Sequence, residues 1–162
     1  MSILNADLHC HSTVSDGWLD PADVVRRAQA NGVELLALTD HDELSGLDVA
    51  ARTAAELGVG FVPGVEISVS FANDSVHIVG LAIDPCAPAI VTGLQQLRAG
   101  REARAQRIAA ALAEVGIQGA LEGAHQFARN PALVSRAHFA RHLVASGIMP
   151  DVKTVFDHYL VR

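Results

Sequence analysis

The sequence is poor in the features that would place it in a membrane, outside the cell or on a nucleic acid. Its 162 residues include one Trp, one Tyr and five Phe, so aromatics are 4% of the chain and Ala, Val and Leu must do most of the packing. Two cysteines, Cys10 and Cys86, are too few for a disulfide framework, and a reduced, cytoplasmic setting is the simpler expectation. No apolar run approaches the roughly 18 residues that a membrane span needs. The start, "MSILNADLHCH", has neither the basic region nor the apolar stretch of a signal peptide. A formal net charge of −6 lacks the basic excess of a general nucleic-acid or membrane-surface binder, so neither duplex DNA nor a membrane is an expected partner. A phosphorylated substrate stays open, because bound divalent cations invert the local field of an acidic protein. Nothing in the sequence sets an oligomeric state.

What the chain has instead is histidine, eight in all. To place them, the chain is read first for its elements. "NADLHCH" reads as a strand. "DPADVVRRAQANG" carries helix signals at both ends, with Asp20 as N-cap, Pro21 at the first helical position and Gly32 just past the end. "VELLALTD" reads as a strand buried on both faces, "SGLDVAARTAAELG" as a second helix, and "VGFVPGVEISVSF" and "VHIVGLAID" as strands either side of a turn at "ANDS". Alternating strands and helices predict right-handed crossovers and a largely parallel sheet over residues 1–87. Residues 88–162 read as helical: a long helix from 88 to about 115, kinked near Gly100, a poorly periodic stretch from Ile117 to Asn130, and helices at "SRAHFARHLVAS" and "DVKTVFDHYLV".

On a strand, His9 and His11 project to the same face and Cys10 to the other, which offers two nitrogen ligands on a rigid element. A lone H-x-H is as readily a pair of half-buried strand histidines. This pair has company: Asp40, His41 and Asp42 follow the second strand, Glu66 lies on the third and His77 on the fourth. Chemistry in parallel α/β sheets gathers beyond the carboxyl ends of strands, and the His, Asp and Glu residues cluster there rather than along the helices. Imidazole and carboxylate ligands suit two or three divalent ions, and Mn, Fe and Zn are not distinguished by them. Closely spaced ions would bring a bridging water to hydroxide near neutral pH and offset charge on phosphoryl oxygens during in-line attack. Asp7 shares the strand face of His9 in a regular strand, and Asp7 and Asp42 could each orient a ligand from behind.

The motifs "DLHCHSTVSDG", "LALTDHD", "GVEIS" and "HIVGLAID", in this order, resemble those of the PHP (polymerase and histidinol phosphatase) metallophosphoesterases. "RAHFARHLVASGIMPDVKTVFDHYL" is similar to the branch that removes phosphate from nucleoside 3′,5′-bisphosphates and trims short 5′-phosphorylated RNA. The resemblance implies a distorted (β/α)7 barrel whose site a helical insertion caps. It implies that His9, His11 and Glu66 hold one metal, Asp16 and His41 a second, and Glu66 with His77 a third, Asp16 and His41 being catalytic as well. It also implies that Arg136 and His138 lie near the substrate phosphate. "HFARH" lacks the glutamate of a zinc-protease helix, so His142 is expected on a solvated helix face. Arg98, Arg101, Arg104 and Arg107 form a basic ribbon on the long helix, also expected to be solvated.

The expected function is therefore metal-dependent hydrolysis of phosphate from nucleoside 3′,5′-bisphosphates or short RNA ends. Histidinol-phosphate phosphatase is the nearest alternative enzyme. The family also carries a later histidine–proline motif and an aspartate–x–histidine pair that this sequence does not show, and a closed (β/α) barrel takes roughly 250 residues. An incomplete barrel is thus expected: residues 1–87 its N-terminal part, residues 88–162 the helical insertion, and the C-terminal part absent. A catalytically incomplete fragment that binds metal or a partner is the alternative from another class. One feature strains the metal assignment. A four-residue turn at "ANDS" pairs Ser70 with His77, four residues along from Glu66, or about 13 Å at ~3.3 Å per residue. A shared ion requires these two side chains within about 5 Å.

Overall fold

The computed structural model describes residues 4–72 and 74–160. The described elements begin with strand β1 (Ala6–Cys10), helix α1 (Pro21–Ala30), strand β2 (Leu35–Leu38) and helix α2 (Leu47–Leu57). Strands β3 (Gly60–Phe71) and β4 (Asp74–Leu81) follow, then helices α3 (Pro88–Glu114), α4 (Ala120–His125), α5 (Arg136–Ala145) and α6 (Val152–Val155), the last running into a π-helical turn, Phe156–Leu160. The chain divides into two compact units, Met1–Leu97 and Arg98–Arg162. None of the described helices is long and apolar enough to cross a membrane.

The first unit is α/β, with a mixed sheet in the order β1-β2-β3-β4. β1, β2 and the first residues of β3 are parallel, and the rest of β3 pairs antiparallel with β4. The parallel pairs are joined through α1 and α2, whose Val25, Ala50 and Ala54 form one core with Leu36 and Leu38 of β2. Leu36, Ala37 and Leu38 are all but fully buried, as a strand covered on both faces requires. α1 starts and stops where the sequence places it: Pro21 opens it and Gly32, at φ 76°, lets the chain turn away. Asp20 precedes the helix, but its carboxylate accepts a hydrogen bond from the Thr13 hydroxyl (2.8 Å) instead of capping.

Two departures from regular strand geometry matter for function. In β1 the pairing slips, Asp7 standing opposite Leu36 but Cys10 opposite Leu38, so three steps on one strand match two on the other. In β3 the partner changes from β2 to β4 at Gly64. A Cβ there would lie 2.8 Å from Thr39 Cγ2 and 3.1 Å from the carbonyl oxygens of Gly80 and Leu38, so only glycine lets the three strands meet.

The second unit is helical. Phe139, Ala140 and Leu143 of α5, Ala120 and Ala124 of α4, Leu112 of α3 and Val155 of α6 make its core. α4 forms inside the stretch that shows no helical period, and α3 runs unbroken through Gly100. α5 starts with a capping box, in which Ser135 N–H donates to Nδ1 of His138 at 3.0 Å. The arginine ribbon on α3 is solvated only in part: Arg107 is exposed and Arg98 and Arg104 are half-buried, but Arg101 is buried.

Two glycines give opposite expectations. Gly64→Ala should lower stability by about 1–3 kcal/mol, because neighbouring backbone must shift. Gly93→Ala, in the α3 interior with open space around the added Cβ, should raise it by about 0.5–1 kcal/mol. Urea unfolding midpoints check both, and equal shifts would refute the assigned role of Gly64.

Candidate metal centre

Four imidazoles and two carboxylates converge in the first unit. His9 lies on β1 and His11 just beyond it, Asp16 in the loop that follows, His41 past the end of β2, Glu66 on β3 and His77 on β4. Glu66 is the hub. Its Oε2 lies 2.7 Å from His9 Nε2, 3.0 Å from His11 Nε2 and 3.8 Å from His41 Nδ1, while Oε1 lies 2.9 Å from His77 Nδ1. Asp16 stands at the edge, 3.7 Å from His11 Nδ1 and 3.8 Å from His41 Nε2. The rings follow one another, with centroids 5.2 Å apart from His9 to His11, 4.7 Å from His11 to His41 and 4.9 Å from His41 to His77.

Strand register explains most of this. His9 and His11 are two residues apart and meet at 3.2 Å between their Nε2 atoms. The β3–β4 hairpin corrects the expected turn: Phe71 pairs with Asp74 and Ser68 with His77, so the loop spans two residues, not four. Residue 73 of that loop lies outside the described residues. A two-residue change in register preserves the face and brings His77 diagonally opposite Glu66, where long side chains meet.

The "TDHD" segment does more than supply His41. Backbone bonds tie it to Glu66 on both sides: Asp42 N–H donates to the Glu66 carbonyl at 3.0 Å, and Glu66 N–H to the Asp40 carbonyl at 3.2 Å. The buried Asp42 carboxylate accepts from Ser68 N–H (2.8 Å), bracing β3 beyond Glu66, and Asp42 has the left-handed φ of 51°. Asp40, also buried, accepts from the Ser12 N–H and from the hydroxyls of Ser12 and Ser15. Gly17 lets that loop fold back, since a Cβ there would collide with the His11 carbonyl. Asp40, Ser12, Ser15 and Gly17 carry roles that sequence reasoning missed. The signal was the row of small hydroxyl residues after H-x-H facing an aspartate at the end of the next strand.

The donor set fits divalent cations. Ligand atoms about 2.1 Å from one ion at octahedral or tetrahedral angles stand about 3.0–3.4 Å apart, close to the 2.7–3.2 Å separations of His9 Nε2, His11 Nε2 and Glu66 Oε2. Three groups each place their ligand atoms within 4.8 Å of one another: His9–His11–Glu66, His11–Asp16–His41 and His41–Glu66–His77. His11 Nδ1 is buried and has no hydrogen-bond partner among the described residues, as a nitrogen kept for an ion would be. Burial pushes the Glu66 carboxyl up, but the hydrogen bond to His9 and the charges of His41, His11 and His9 outweigh it and hold the group below its ordinary value.

Other expected residues stand elsewhere. Asp7 enters none of the three candidate ligand groups. Asp7 accepts a bond from the His9 backbone N–H (3.3 Å) and lines a cavity of about 360 Å³ with Cys10, His11, Arg27 and Leu36. Cys10 joins no ligand group; its thiol donates to the Ala37 carbonyl at 3.2 Å. Arg136 and His138 belong to the second unit, in the first turn of α5. Arg136 donates to the Leu160 carbonyl at 3.3 Å, and His138 is buried with Nδ1 engaged in the capping box. His142 is not solvated as expected: its ring packs where a Cβ on Gly123 would stand.

Comparison with known proteins agrees with this geometry. The family model described as the PHP domain matches residues 7–160. A 3′,5′-nucleoside bisphosphate phosphatase of Chromobacterium violaceum is 52% identical over 156 residues, 96% of this chain and 55% of the relative. A 5′-3′ exoribonuclease of Haemophilus influenzae is 45% identical over 154 residues, 95% of this chain and 56% of the relative. A Chromobacterium violaceum protein solved as an amidohydrolase, with bound sulfate and no metal, superposes with a TM-score of 0.94 at 52% identity, covering 97% of this chain and 55% of that one. The chain spans about half the length of the curated relatives it matches.

The two thiols should behave differently. Burial, and then the negative charges of Asp7 and Asp40, push Cys10 up to about 12, whereas Cys86 is exposed. At pH 8, iodoacetamide should modify Cys86 at least about tenfold faster than Cys10, because only a thiolate reacts. Peptide mass mapping over time reads both rates, and comparable rates would contradict the placement of Cys10.

Proposed function

The chain belongs to the PHP-domain family, and from that premise we propose that its centre is that of a metal-dependent phosphoesterase acting on nucleoside 3′,5′-bisphosphates or short 5′-phosphorylated RNA. The observation that carries this reading is the Glu66 carboxylate, buried and met on both oxygens by imidazoles from two strands and two loops. A carboxylate so placed would serve two of the three candidate cation groups. His9, His11 and Glu66 would hold one divalent ion, Asp16 and His41 with His11 a second, and Glu66 and His77 with His41 a third. What such ions supply when bound is Lewis acidity, toward phosphoryl oxygens and toward an attacking water.

The chain's own contribution is placement. The buried backbone clamp of residues 40–42 fixes Glu66 and His41 together, so little reorganisation is left for the reaction itself. Asp16 and His41, side by side, are the residues we assign to the chemistry as well as to cation binding. Arg136 and His138 are assigned to the substrate phosphate; both stand in the first turn of α5, and the N-terminus of a helix favours an anion. We read residues 1–87 as the first part of a distorted (β/α)7 barrel and residues 88–162 as the helical insertion of this branch, with Mn among the ions accepted. The names of the two curated relatives, a bisphosphate phosphatase and an exoribonuclease, support the substrate class.

The test is release of inorganic phosphate from adenosine 3′,5′-bisphosphate by the full-length protein with added Mn, beside histidinol phosphate as competitor. Glu66→Gln and Asp16→Ala should each lower turnover by about 100-fold or more, since each removes a direct ligand where even supporting residues are worth about 10–100-fold. Preference for histidinol phosphate, or undiminished turnover in either variant, would overturn the assignment.

A further inference from the structure

Asp40 is the buried charge that the proposed centre leaves unused. It is 2% exposed, and the two serines that face it, Ser12 and Ser15, are 0% and 3% exposed. Its Oδ1 accepts from Ser12 N–H at 2.7 Å and from the Ser15 hydroxyl at 2.6 Å, and its Oδ2 accepts from the Ser12 hydroxyl at 2.6 Å. These short, charge-assisted bonds all end on the loop that follows His11. The same loop is closed internally by Ser15 N–H and Gly17 N–H, both donating to the Ser12 carbonyl, at 3.2 and 2.7 Å, and by Val14 N–H donating to the Ser12 hydroxyl at 3.2 Å. Asp16 is the residue between these anchors. Its carboxylate lies near His11 and His41 at 3.7 and 3.8 Å, so a small movement of the loop takes it out of their group. Even the space for the Asp40 carboxylate is kept free, since a Cβ on Gly46 would come within 3.2 Å of its Oδ2.

We propose that Asp40 is a positioning residue for Asp16, holding the His11–Asp16–His41 group ready for its cation through Ser12 and Ser15. The inference rests on the metallophosphoesterase reading above and goes further in making one cation group depend on a residue that touches no ion. The side chains of His9, Glu66 and His77 meet one another and His11, and not the Ser12–Gly17 loop. The dependence is therefore selective. Asp16 enters only the His11–Asp16–His41 group, so disturbing Asp40 weakens that group most and the groups that share Glu66 least.

The test measures Mn binding by equilibrium dialysis on full-length wild type, Asp40→Asn and the milder Ser15→Ala, with thermal midpoints and turnover on adenosine 3′,5′-bisphosphate recorded alongside. The expected result is one class of Mn weakened about 10–100-fold, the size typical of residues supporting a ligand, with the remaining classes retained and turnover restored by excess Mn. Ser15→Ala, which removes one bond next to Asp16, should show the same selective change even where Asp40→Asn fails to fold. An unchanged Mn curve in Ser15→Ala, or a parallel weakening of every class that tracks a lower thermal midpoint, would overturn the proposal. If wild type binds no Mn, the metallophosphoesterase reading itself falls and this one with it. If wild type binds Mn and turns over while the variants match it, only the role of Asp40 falls.

Discussion

Burying the Glu66 carboxylate is the constraint from which the rest of the first unit follows. A carboxylate with 8% of its side chain exposed loses most of its hydration and persists as a charge only where donors or cations replace the water. Imidazoles from β1, β4 and the loops after β1 and β2 take that place, which requires three strands to arrive together at one point. The parallel β1–β2–β3 arrangement brings two strand ends beside β3, and the antiparallel β4 returns along its other edge. β3 must therefore pair with β2 and β4 in succession, and Gly64 marks the point where the partner changes.

A site built this way has two kinds of support. Regular strand geometry aims His9, Glu66 and His77, because alternation and cross-strand register determine which side chains share a face. Outside the strands, aim comes from side chains that hydrogen-bond to backbone. Asp42 fixes β3 at Ser68, and Asp40 fixes the loop that carries Asp16. The two aspartates flank His41, so one short segment supplies a ligand and braces its neighbours on either side. The buried Asp40 charge is met by three donors from Ser12 and Ser15, and the Asp42 charge by the Ser68 N–H, so serines supply the compensation at this corner.

This division also explains what the sequence made legible. The H-x-H pair, the strand ends and the four-motif resemblance were sufficient to bring six of the expected residues into one cluster, because strand alternation is a strict period. The hairpin register was not legible, since "ANDS" is compatible with a two- or four-residue turn and only packing decides between them. The slip in β1 left no signal either. It follows from how β1 meets β2, and it breaks the regular alternation between Asp7 and Cys10. Asp42 read as a residue behind a ligand and Asp40 carried no assignment, because an aspartate next to a histidine looks the same whether its oxygens face an imidazole, a backbone N–H or a serine. α4 stayed hidden because six residues with a glycine among them carry too little periodicity to stand out.

The scarcity of aromatics has a different meaning in the second unit. Ala105, Ala120, Ala124, Ala128 and Ala140 are buried there beside two fully buried rings among the described residues, Phe139 and His138. Small residues let helix backbones approach closely, so a core can form from short helices without large side chains to fill wide gaps. The same closeness explains His142, which lies over Gly123 because no other residue leaves room for an imidazole against that helix. It also explains the start of α5. A helix of ten residues needs its first N–H groups satisfied, and the buried His138 does this through the capping box while filling the core beside Phe139. A histidine that holds a helix start in place is rigid at Nδ1, and the Arg136 guanidinium two residues earlier is fixed with it in the same turn. Both side chains are placed by hydrogen bonds to backbone as well as by packing, just as the histidines of the first unit are placed by strand register and buried carboxylates.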